Sequence, residues 1–488
     1  FDRDFLTIKT RTKSDGLSFL TKTLPSLAKS LDLALKAGQF QTPSSFKRKG
    51  SSNLPCIFNG FFKLVFSEDG VLLGEPDTTA IKDLRQVGYL FYKYQLEHKE
   101  RLVEHFFEEF KKQDKDIPVS IKNTEEMGII HYAKGVIDEI FSNFKCDSLV
   151  PKNGPGSVAN GIPPWGRFQP TKFYPQLNSL VDYCEFYYYN NRHLFDDFER
   201  YFDLDYEFFG TAKSIAVPKD SRGPRLISSE PSEFMTYQQA LKNAMVPYIE
   251  HHPITKGRVN FTRQDINRDL ALKASQDQFY ATLDLKSASD LVSVKLVDLL
   301  FEDTCIHDYL MNTRSSFTEL PSGEVIPLNK FAPMGSALCF PIEAITFFSL
   351  IVGEKIARGT PLKEAAKNVY VYGDDIIVPT TDVVHAIEAL ETCGLLVNVD
   401  KSCFTGNFRE SCGMDAYLGI DVTPTKLKKV WQEDPDAATQ ASFLAICNNL
   451  FANGYWTASD FVRRSLERVM GLLPLRVKGS PVMGLTTW

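Results

Sequence analysis

The sequence predicts a protein of mixed helices and strands, either α/β or α+β, built around a sizeable core. From Gly210 onwards, short β-like runs alternate with stretches of helical periodicity. Residues 79–112, 125–144 and 434–475 show helical patterns, whereas residues 150–175 form a long segment rich in Gly and Pro. The 488 residues are 43% apolar and 24% charged, which excludes global disorder and is enough for more than one domain.

The charge balance excludes a protein that binds nucleic acid over its whole surface. The net charge is −6, although residues 1–50 hold ten Lys and Arg against four Asp, so any site for a polyanion must be local. The nine cysteines lack metal-like spacing, and no apolar stretch is long enough to span a membrane. We therefore expect free thiols and a soluble cytosolic protein without a signal peptide. Because the chain starts at Phe1 without an initiator Met, we expect a segment of a longer chain.

The sharpest motif is a predicted β-hairpin at residues 369–378. Two apolar β-like runs meet at Gly373 and Asp374, and Asp375 follows. Gly and Asp are common in plain turns for backbone reasons alone, which is one explanation of the motif. The other is that a divalent cation neutralises the two acids beside their apolar strands, and magnesium prefers such oxygen ligands.

A second acid, Asp284, ends the β-like run 279–285 and precedes a helix-start signal at Ser287. An isolated Asp in this position often caps a helix. Alternatively, neighbouring strands place Asp284 and Asp374 around one pair of metal ions. Two-metal sites of this kind catalyse in-line phosphoryl transfer.

Two further segments fit phosphoryl chemistry. Residues 212–226 carry a cluster of basic side chains, which either form a solvated face or bind phosphate oxygens. These basic residues are Lys213, Lys219, Arg222 and Arg225. The second segment is the turn Pro333-Met-Gly335-Ser336, which leads into a predicted helix and has backbone amides suited to a ligand.

In this order, the segments resemble the conserved blocks of viral RNA-dependent RNA polymerases. The blocks are Val217-Pro-Lys219-Asp-Ser-Arg222-Gly-Pro-Arg225 with Glu230-Pro231, Asp284-Leu-Lys-Ser-Ala-Ser289-Asp290, Met334-Gly335-Ser336 and Tyr372-Gly-Asp-Asp375. More narrowly, residues 408–413 closing on 419–424 are similar to the catalytic (beta) subunit of the replicases of positive-sense single-stranded RNA bacteriophages, the levivirus group. The similarity covers residues 211–424, and Gly154-Pro-Gly-Ser157 is similar to a Gly-rich block of the same family.

The resemblance implies an α+β right-hand polymerase with an antiparallel palm sheet, fingers and a helical thumb. Residues 1–150 would form a largely helical N-terminal region with the outer fingers, and residues 151–278 the fingers with the basic block. Residues 279–430 would form the palm with a finger insertion. Residues 431–488 would form a shortened thumb.

The resemblance also implies residue roles in RNA-templated RNA synthesis. Asp284, Asp374 and Asp375 would bind two magnesium ions, for which manganese can substitute, and Lys401 would protonate the pyrophosphate. Lys213, Lys219, Arg222 and Arg225 would hold the triphosphate, and Asp290 and Ser336 would contact the ribose. Ser336 stands where better-known members have Asn. The implied partners are RNA template and product, ribonucleoside triphosphates and the host elongation factors Tu and Ts, in the cytoplasm of a bacterial host and without a membrane.

Two rival functions share these motifs. A reverse transcriptase has a similar palm, but Gly373 before the acid pair and Asp290 after Asp284 favour a ribonucleotide enzyme. An inactive, polymerase-derived RNA-binding protein would not need the three acids Asp284, Asp374 and Asp375, all of which are present.

Overall fold

The computed structural model describes residues 2–117, 124–147 and 149–487. The strands described form five separate small sheets, and most neighbouring strands in them are antiparallel. Because the helices are not woven between the strands of one parallel sheet, the fold class is α+β, as predicted. In this part of the chain, no helix is both long and apolar enough to cross a bilayer.

The N-terminal part is helical, as predicted. Its helices are α1 (Asp2–Asp15), α2 (Leu24–Ala37), α3 (Asn59–Lys63), α4 (Thr78–Tyr89), α5 (Glu100–Asp116) and α6 (Thr124–Phe141). The expectation of one helix over residues 79–112 is wrong. The Leu90 carbonyl accepts a hydrogen bond from the Leu427 amide and the Gln95 amide donates to the Lys428 carbonyl, at 2.7 and 2.8 Å, so tertiary bonds replace the helical ones between α4 and α5.

Short elements follow, and then a sheet that carries the predicted basic block. The short elements are β1 (Lys172–Phe173), α7 (Pro175–Asn178), α8 (Tyr183–Tyr187), α9 (Asn191–Asp196), α10 (Phe198–Phe202) and β2 (Asp205–Tyr206). The basic block forms the antiparallel hairpin β3 (Thr211–Asp220) and β4 (Gly223–Ser229), and β6 (Phe317–Glu319) and β7 (Val325–Pro327) extend its sheet in the order β4-β3-β6-β7.

A second, central sheet carries the predicted acids. Its strands are β5 (Tyr280–Leu283), β8 (Tyr370–Tyr372) and β9 (Asp375–Pro379), all antiparallel in the order β5-β9-β8. The helices around it are α11 (Ser232–His251), α12 (Gln264–Asp277), α13 (Ala288–Leu291), α14 (Val294–Phe301), α15 (His307–Asn312), α16 (Cys339–Ala357), α17 (Leu362–Ala365) and α18 (Val383–Thr392). Almost every residue of α16 is buried against α6, α18 and β8, which explains its continuous apolar run.

The last part of the chain contains a small sheet and a helical pair. The strands β10 (Phe408–Ser411), β11 (Met414–Tyr417) and β12 (Ile420–Asp421) form an antiparallel meander that sequence patterns did not predict. The remaining elements are α19 (Ala437–Ala452), α20 (Trp456–Met470), β13 (Leu475–Val477) and β14 (Leu485–Thr487). Helices α19 and α20 pack against each other around their own apolar cluster, so the helical prediction for this region is confirmed. The division into fingers, palm and thumb stays a prediction.

A buried arginine joins the N-terminal helices to this meander. Arg85 of α4 is 2% exposed, and its guanidinium forms ion pairs with Asp32 of α2 and Asp415 of β11. Its Nε also donates to the Val422 carbonyl at 3.1 Å, and it lies 4.8 Å from the centre of the Phe408 ring. Residues far apart in the chain are therefore held by one cation.

We predict that Arg85→Met destabilises the fold by about 3–5 kcal/mol, because the buried Asp415 and the half-buried Asp32 lose their shared partner. Arg464→Met is the matched control, since Arg464 pairs with Asp460 at 2.7 Å but is 69% exposed. Its loss should cost at most about 1 kcal/mol. Urea titration of both variants measures the difference, and equal losses would contradict the role given to Arg85.

Candidate active site

The predicted hairpin is present and places Asp374 at its tip. Tyr372 pairs with Asp375 across two strands, leaving Gly373 and Asp374 as the turn. Gly373 has φ 59°, and a Cβ there would lie 2.3 Å from the Phe340 ring of α16. Only glycine satisfies both the turn and this close approach, and α16 therefore fixes the position of Asp374.

Asp284 lies beside the same end of the hairpin. It directly follows β5, whose last residue Leu283 pairs with Ile376 of β9. Its carboxylate accepts hydrogen bonds from Asn398 Nδ2 at 3.1 Å and Lys401 Nζ at 3.2 Å. The strand register thus confirms the prediction that Asp284 and the Gly-Asp-Asp turn come from neighbouring strands.

Asp284 and Lys401 form a partly buried ion pair, and each affects the pKa of the other. Burial raises the pKa of Asp284, and the Lys401 ammonium only partly opposes this. Burial acts to lower the pKa of Lys401, but the Asp284 carboxylate outweighs it and raises that pKa. Lys401 therefore stays protonated beside the acid.

Asp375 points away from the hairpin tip towards the β10–β11 turn. Ser411 Oγ donates to its Oδ1 at 3.3 Å, and Cys412, whose φ is 49°, follows Ser411 in that turn. Burial, followed by repulsion from Asp374, raises the pKa of Asp375 to about 6. Burial and the Asp375 carboxylate together raise the pKa of the Cys412 thiol, which keeps that neighbour uncharged.

A fourth carboxyl, on Glu343 of α16, belongs to the same group and was not predicted as a site residue. It is 8% exposed, and burial followed by repulsion from Asp374 and Asp290 raises its pKa well above the ordinary value. Its only signal in the sequence is that it interrupts the apolar run 342–352. A single acid within a buried apolar helix is therefore the sequence signal for this site residue.

The donor set has the chemistry of a divalent-cation site. Asp284, Asp374 and Asp375 supply hard oxygen ligands, and charge repulsion links all three, so a cation between them would relieve it. Within the described ranges, no three Asp, Glu, His or Cys side chains form a ready-made metal cluster. These residues therefore supply the type of ligand that magnesium prefers. In the structure, the counter-charge of Asp284 is Lys401.

A cavity of about 650 Å³ opens beside the hairpin tip and gathers six of the predicted site residues. These six residues are Lys219, Arg225, Asp290, Ser336, Asp374 and Lys401. The other two members of the basic block lie elsewhere. Arg222 bonds Asp220 in the β3–β4 turn and contacts Tyr92, and Lys213 pairs with Ser229 near the opposite end of the hairpin.

The basic wall of this cavity holds cations that repel one another, and Asp220 compensates them only in part. Burial, followed by repulsion from Arg225, lowers the pKa of Lys219. Two cations held close together and partly out of water are stabilised by an anion between them. This wall therefore favours a phosphate group over an apolar ligand.

The Gly-rich turn forms another wall. Gly335 has φ 126°, and a Cβ there would lie 2.1 Å from the Ser228 carbonyl oxygen of β4. Ser336 Oγ donates to Gln238 Oε1 at 3.0 Å, and Gln238 is fully buried. The turn is thus fixed against the basic hairpin, and the Ser336 hydroxyl is held in the cavity wall by α11.

Helix α5 also lines the cavity, which sequence patterns did not predict. Phe106, Glu109, Phe110 and Gln113 of this helix line it, and a Cβ on Gly223 would lie 2.2 Å from the Phe106 ring. Sequence patterns placed α5 only in a helical N-terminal region. No local motif signals a contact between segments more than a hundred residues apart.

Part of this chain is similar in sequence to known proteins. Residues 201–455 match the sequence profile of the family described as RNA replicase, beta-chain. The chain is 34% identical over 212 residues to the RNA-directed RNA polymerase subunit beta of Qbeta virus (strain MX1), a match covering 43% of this chain and 34% of that protein. It is also 34% identical over 215 residues to the RNA-directed RNA polymerase beta chain of Escherichia phage MS2, covering 44% of this chain and 37% of that one.

The matched region thus spans little more than a third of each of these curated relatives. Among solved structures, the RNA-dependent RNA polymerase from bacteriophage phi12 aligns over 93% of this chain and 76% of its own, with 12% identity and a TM-score of 0.45.

The raised pKa of Asp375 yields a stability prediction for Asp375→Asn, measured in EDTA. The pKa is about 6 in the folded protein and 3.8 without the fold, so the folded state loses stability as pH rises between these values. The variant lacks this penalty. It should exceed the parent by up to about 3 kcal/mol at pH 8 and match it below about pH 4.

Asp298→Asn is the control with the opposite sign. Hydrogen bonds from His307 and Lys295 outweigh burial and lower the pKa of Asp298. Its neutralisation should destabilise the protein at pH 8. Urea titrations across this pH range test both variants, and a loss of stability in Asp375→Asn at pH 8 would contradict the assignment.

Proposed function

This chain belongs to the RNA replicase beta-chain family, and from that premise we propose that it is an RNA-dependent RNA polymerase. It would copy an RNA template from ribonucleoside triphosphates. One observation carries the proposal: a single cavity has carboxylates on one wall, including Asp374, and the cations Lys219 and Arg225 on another. A triphosphate with divalent cations needs both walls at once.

The residues of the chain divide the work as follows. Lys219 and Arg225 would hold the triphosphate, since Arg and Lys form charge-assisted hydrogen bonds with phosphate oxygens. Lys401 would donate a proton to the leaving pyrophosphate, a role supported by its place in the lining of the same cavity. Arg222, bonded to Asp220, would keep the turn of the basic hairpin in shape.

Asp284 and Asp374, with Asp375 beside them, would hold magnesium or manganese. Bound there, such ions activate an attacking hydroxyl and stabilise the charge on the leaving oxygen. The Asp375 carboxylate accepts a hydrogen bond from Ser411, so it would support the other two acids from the side of the β10–β11 turn. Asp290 and Ser336 would contact the ribose, and the position of Asp290 in the cavity supports a ribonucleotide enzyme over a reverse transcriptase.

A template-dependent incorporation assay with the purified chain tests the activity. Ribonucleotides should enter product in preference to deoxyribonucleotides, and only with RNA template present.

The family resemblance supports elongation factors Tu and Ts as host partners and the bacterial cytoplasm as the location. Adding host extract, or those two factors alone, tests that part separately.

We predict that Asp374→Asn lowers the incorporation rate about a thousandfold, because loss of one metal-binding charge removes roughly 4 kcal/mol of transition-state stabilisation. The fold should persist, since Asp374 is an exposed turn residue. Single-turnover incorporation in magnesium measures the effect. A rate within tenfold of the parent would remove Asp374 from the proposed machinery.

We predict that Arg225→Ala raises the KM for nucleotide about tenfold or more, through loss of a charge-assisted contact with the triphosphate. Affinity for RNA and its dependence on salt should stay near those of the parent. A residue that contacts the template backbone would give the reverse result: weaker RNA binding, a shallower salt dependence and an unchanged nucleotide KM.

Arg358→Ala serves as control, since Arg358 pairs with Glu354 at the end of α16. Steady-state kinetics and RNA binding at two salt concentrations separate the outcomes.

A further inference from the structure

One lysine side chain is completely buried beside the proposed site. Lys330 is 0% exposed, and its Nζ lies 2.9 Å from Asp290 Oδ1 and 3.9 Å from Asp114 Oδ1. The same ammonium lies 3.7 Å from the centre of the Phe110 ring. Lysine is almost never fully buried unless it is paired, so this arrangement carries a cost that the ion pairs and the ring must offset.

The backbone holds Lys330 in place from two sides. The Val294 amide donates to the Asn329 carbonyl at 2.9 Å, and the Phe331 amide donates to the Val292 carbonyl at 2.8 Å. On the other side, Asp114 at the end of α5 accepts hydrogen bonds from the amides of Asn329 and Lys330, at 2.9 and 3.1 Å. The ammonium therefore reaches Asp290 from a fixed base.

Asp290 differs from an ordinary buried ion-pair partner. Its side chain is 19% exposed, and it lines the same 650 Å³ cavity as Ser336. Lys330 Nζ donates to one of its carboxylate oxygens, Oδ1, and none of the described residues donates a hydrogen bond to the other, Oδ2, which can accept one from a ligand. Lys330 is thus the counter-charge of this carboxylate, beside which the buried acid Glu343 lies.

We propose that Lys330 is a positioning residue for sugar selection: it orients the Asp290 carboxylate towards the 2′-hydroxyl of the incoming ribonucleotide. The inference rests on the proposed polymerase function. It also assigns a task to α5, whose Phe110 and Asp114 hold the lysine. A carboxylate fixed in one orientation discriminates between a hydroxyl and a hydrogen better than a mobile one.

A purely structural ion pair is the alternative. In other proteins, buried salt bridges can often be replaced by apolar side chains at little cost in stability. A purely structural ion pair would affect the stability of the fold alone. The chain offers a matched control in Lys355, which is 11% exposed in its side chain and pairs with Asp382 at 2.8 Å. Lys355 is not among the residues that line the cavity.

The experiment compares Lys330→Met with Lys355→Met in the full chain. For each variant, kcat/KM is measured for a ribonucleoside triphosphate and the deoxyribonucleoside triphosphate of the same base. Lys330→Met should lower the ratio of the two about tenfold, with most of the loss in the ribonucleotide arm. Lys355→Met should keep the ratio of the parent even if both variants lose similar stability.

A double-mutant cycle adds a readout that a structural role does not move. Asp290→Ala should lower the ratio, and Lys330→Met combined with it should lower the ratio no further, because the lysine acts through that carboxylate. If Lys330→Met does not fold, Lys330→Gln replaces it, and it should give a smaller fall in the same direction.

An unchanged ratio in an active Lys330 variant would overturn the inference, as would a double variant in which the two effects add. Failure of the proposed function would look different, since the parent chain itself would then incorporate no nucleotide.

Discussion

Repulsion among Asp284, Asp374, Asp375 and Glu343 is the interaction that the surrounding structure has to balance. Antiparallel pairing of β5 with β9 brings the first three together, and α16 places the fourth against the hairpin turn. Such a group is unfavourable without compensating charge. Lys401 compensates Asp284 directly, and a second cation, Lys330, compensates the neighbouring acid Asp290.

The N-terminal region supplies much of the support for these cations. Lys36 of α2 donates to the carbonyls of Asp400 and Ser402, at 2.5 and 3.2 Å, on either side of Lys401. Helix α5 does the same for the second cation, because it holds the segment that carries Lys330. Neither helix supplies a predicted site residue. Both fix the backbone from which a charged side chain reaches an acid.

Local patterns predicted the hairpin, the strand that ends at Asp284 and the apolar helix α16, because turn chemistry and hydrophobic periodicity act over a few residues. They failed where distant segments decide the outcome. The break between α4 and α5 depends on bonds to residues 427 and 428, and the cavity wall from α5 depends on a fit against Gly223. The placement of Arg222 and Lys213 outside the cavity likewise follows from the register of β3 and β4, which composition does not reveal.

One apolar cluster contains residues of both the N-terminal helices and the β10–β12 meander, and this affects how the protein folds during its synthesis. It joins residues between Phe19 and Leu84 to others between Cys403 and Val422, about 340 residues further along the chain. At about 5–20 residues per second, a ribosome needs roughly 20–70 seconds to reach the few later members of this cluster after the many N-terminal ones. During that interval the nascent N-terminal helices expose an apolar face that has no native partner yet. Chaperones that shield such surfaces are therefore expected to raise the yield of folded protein.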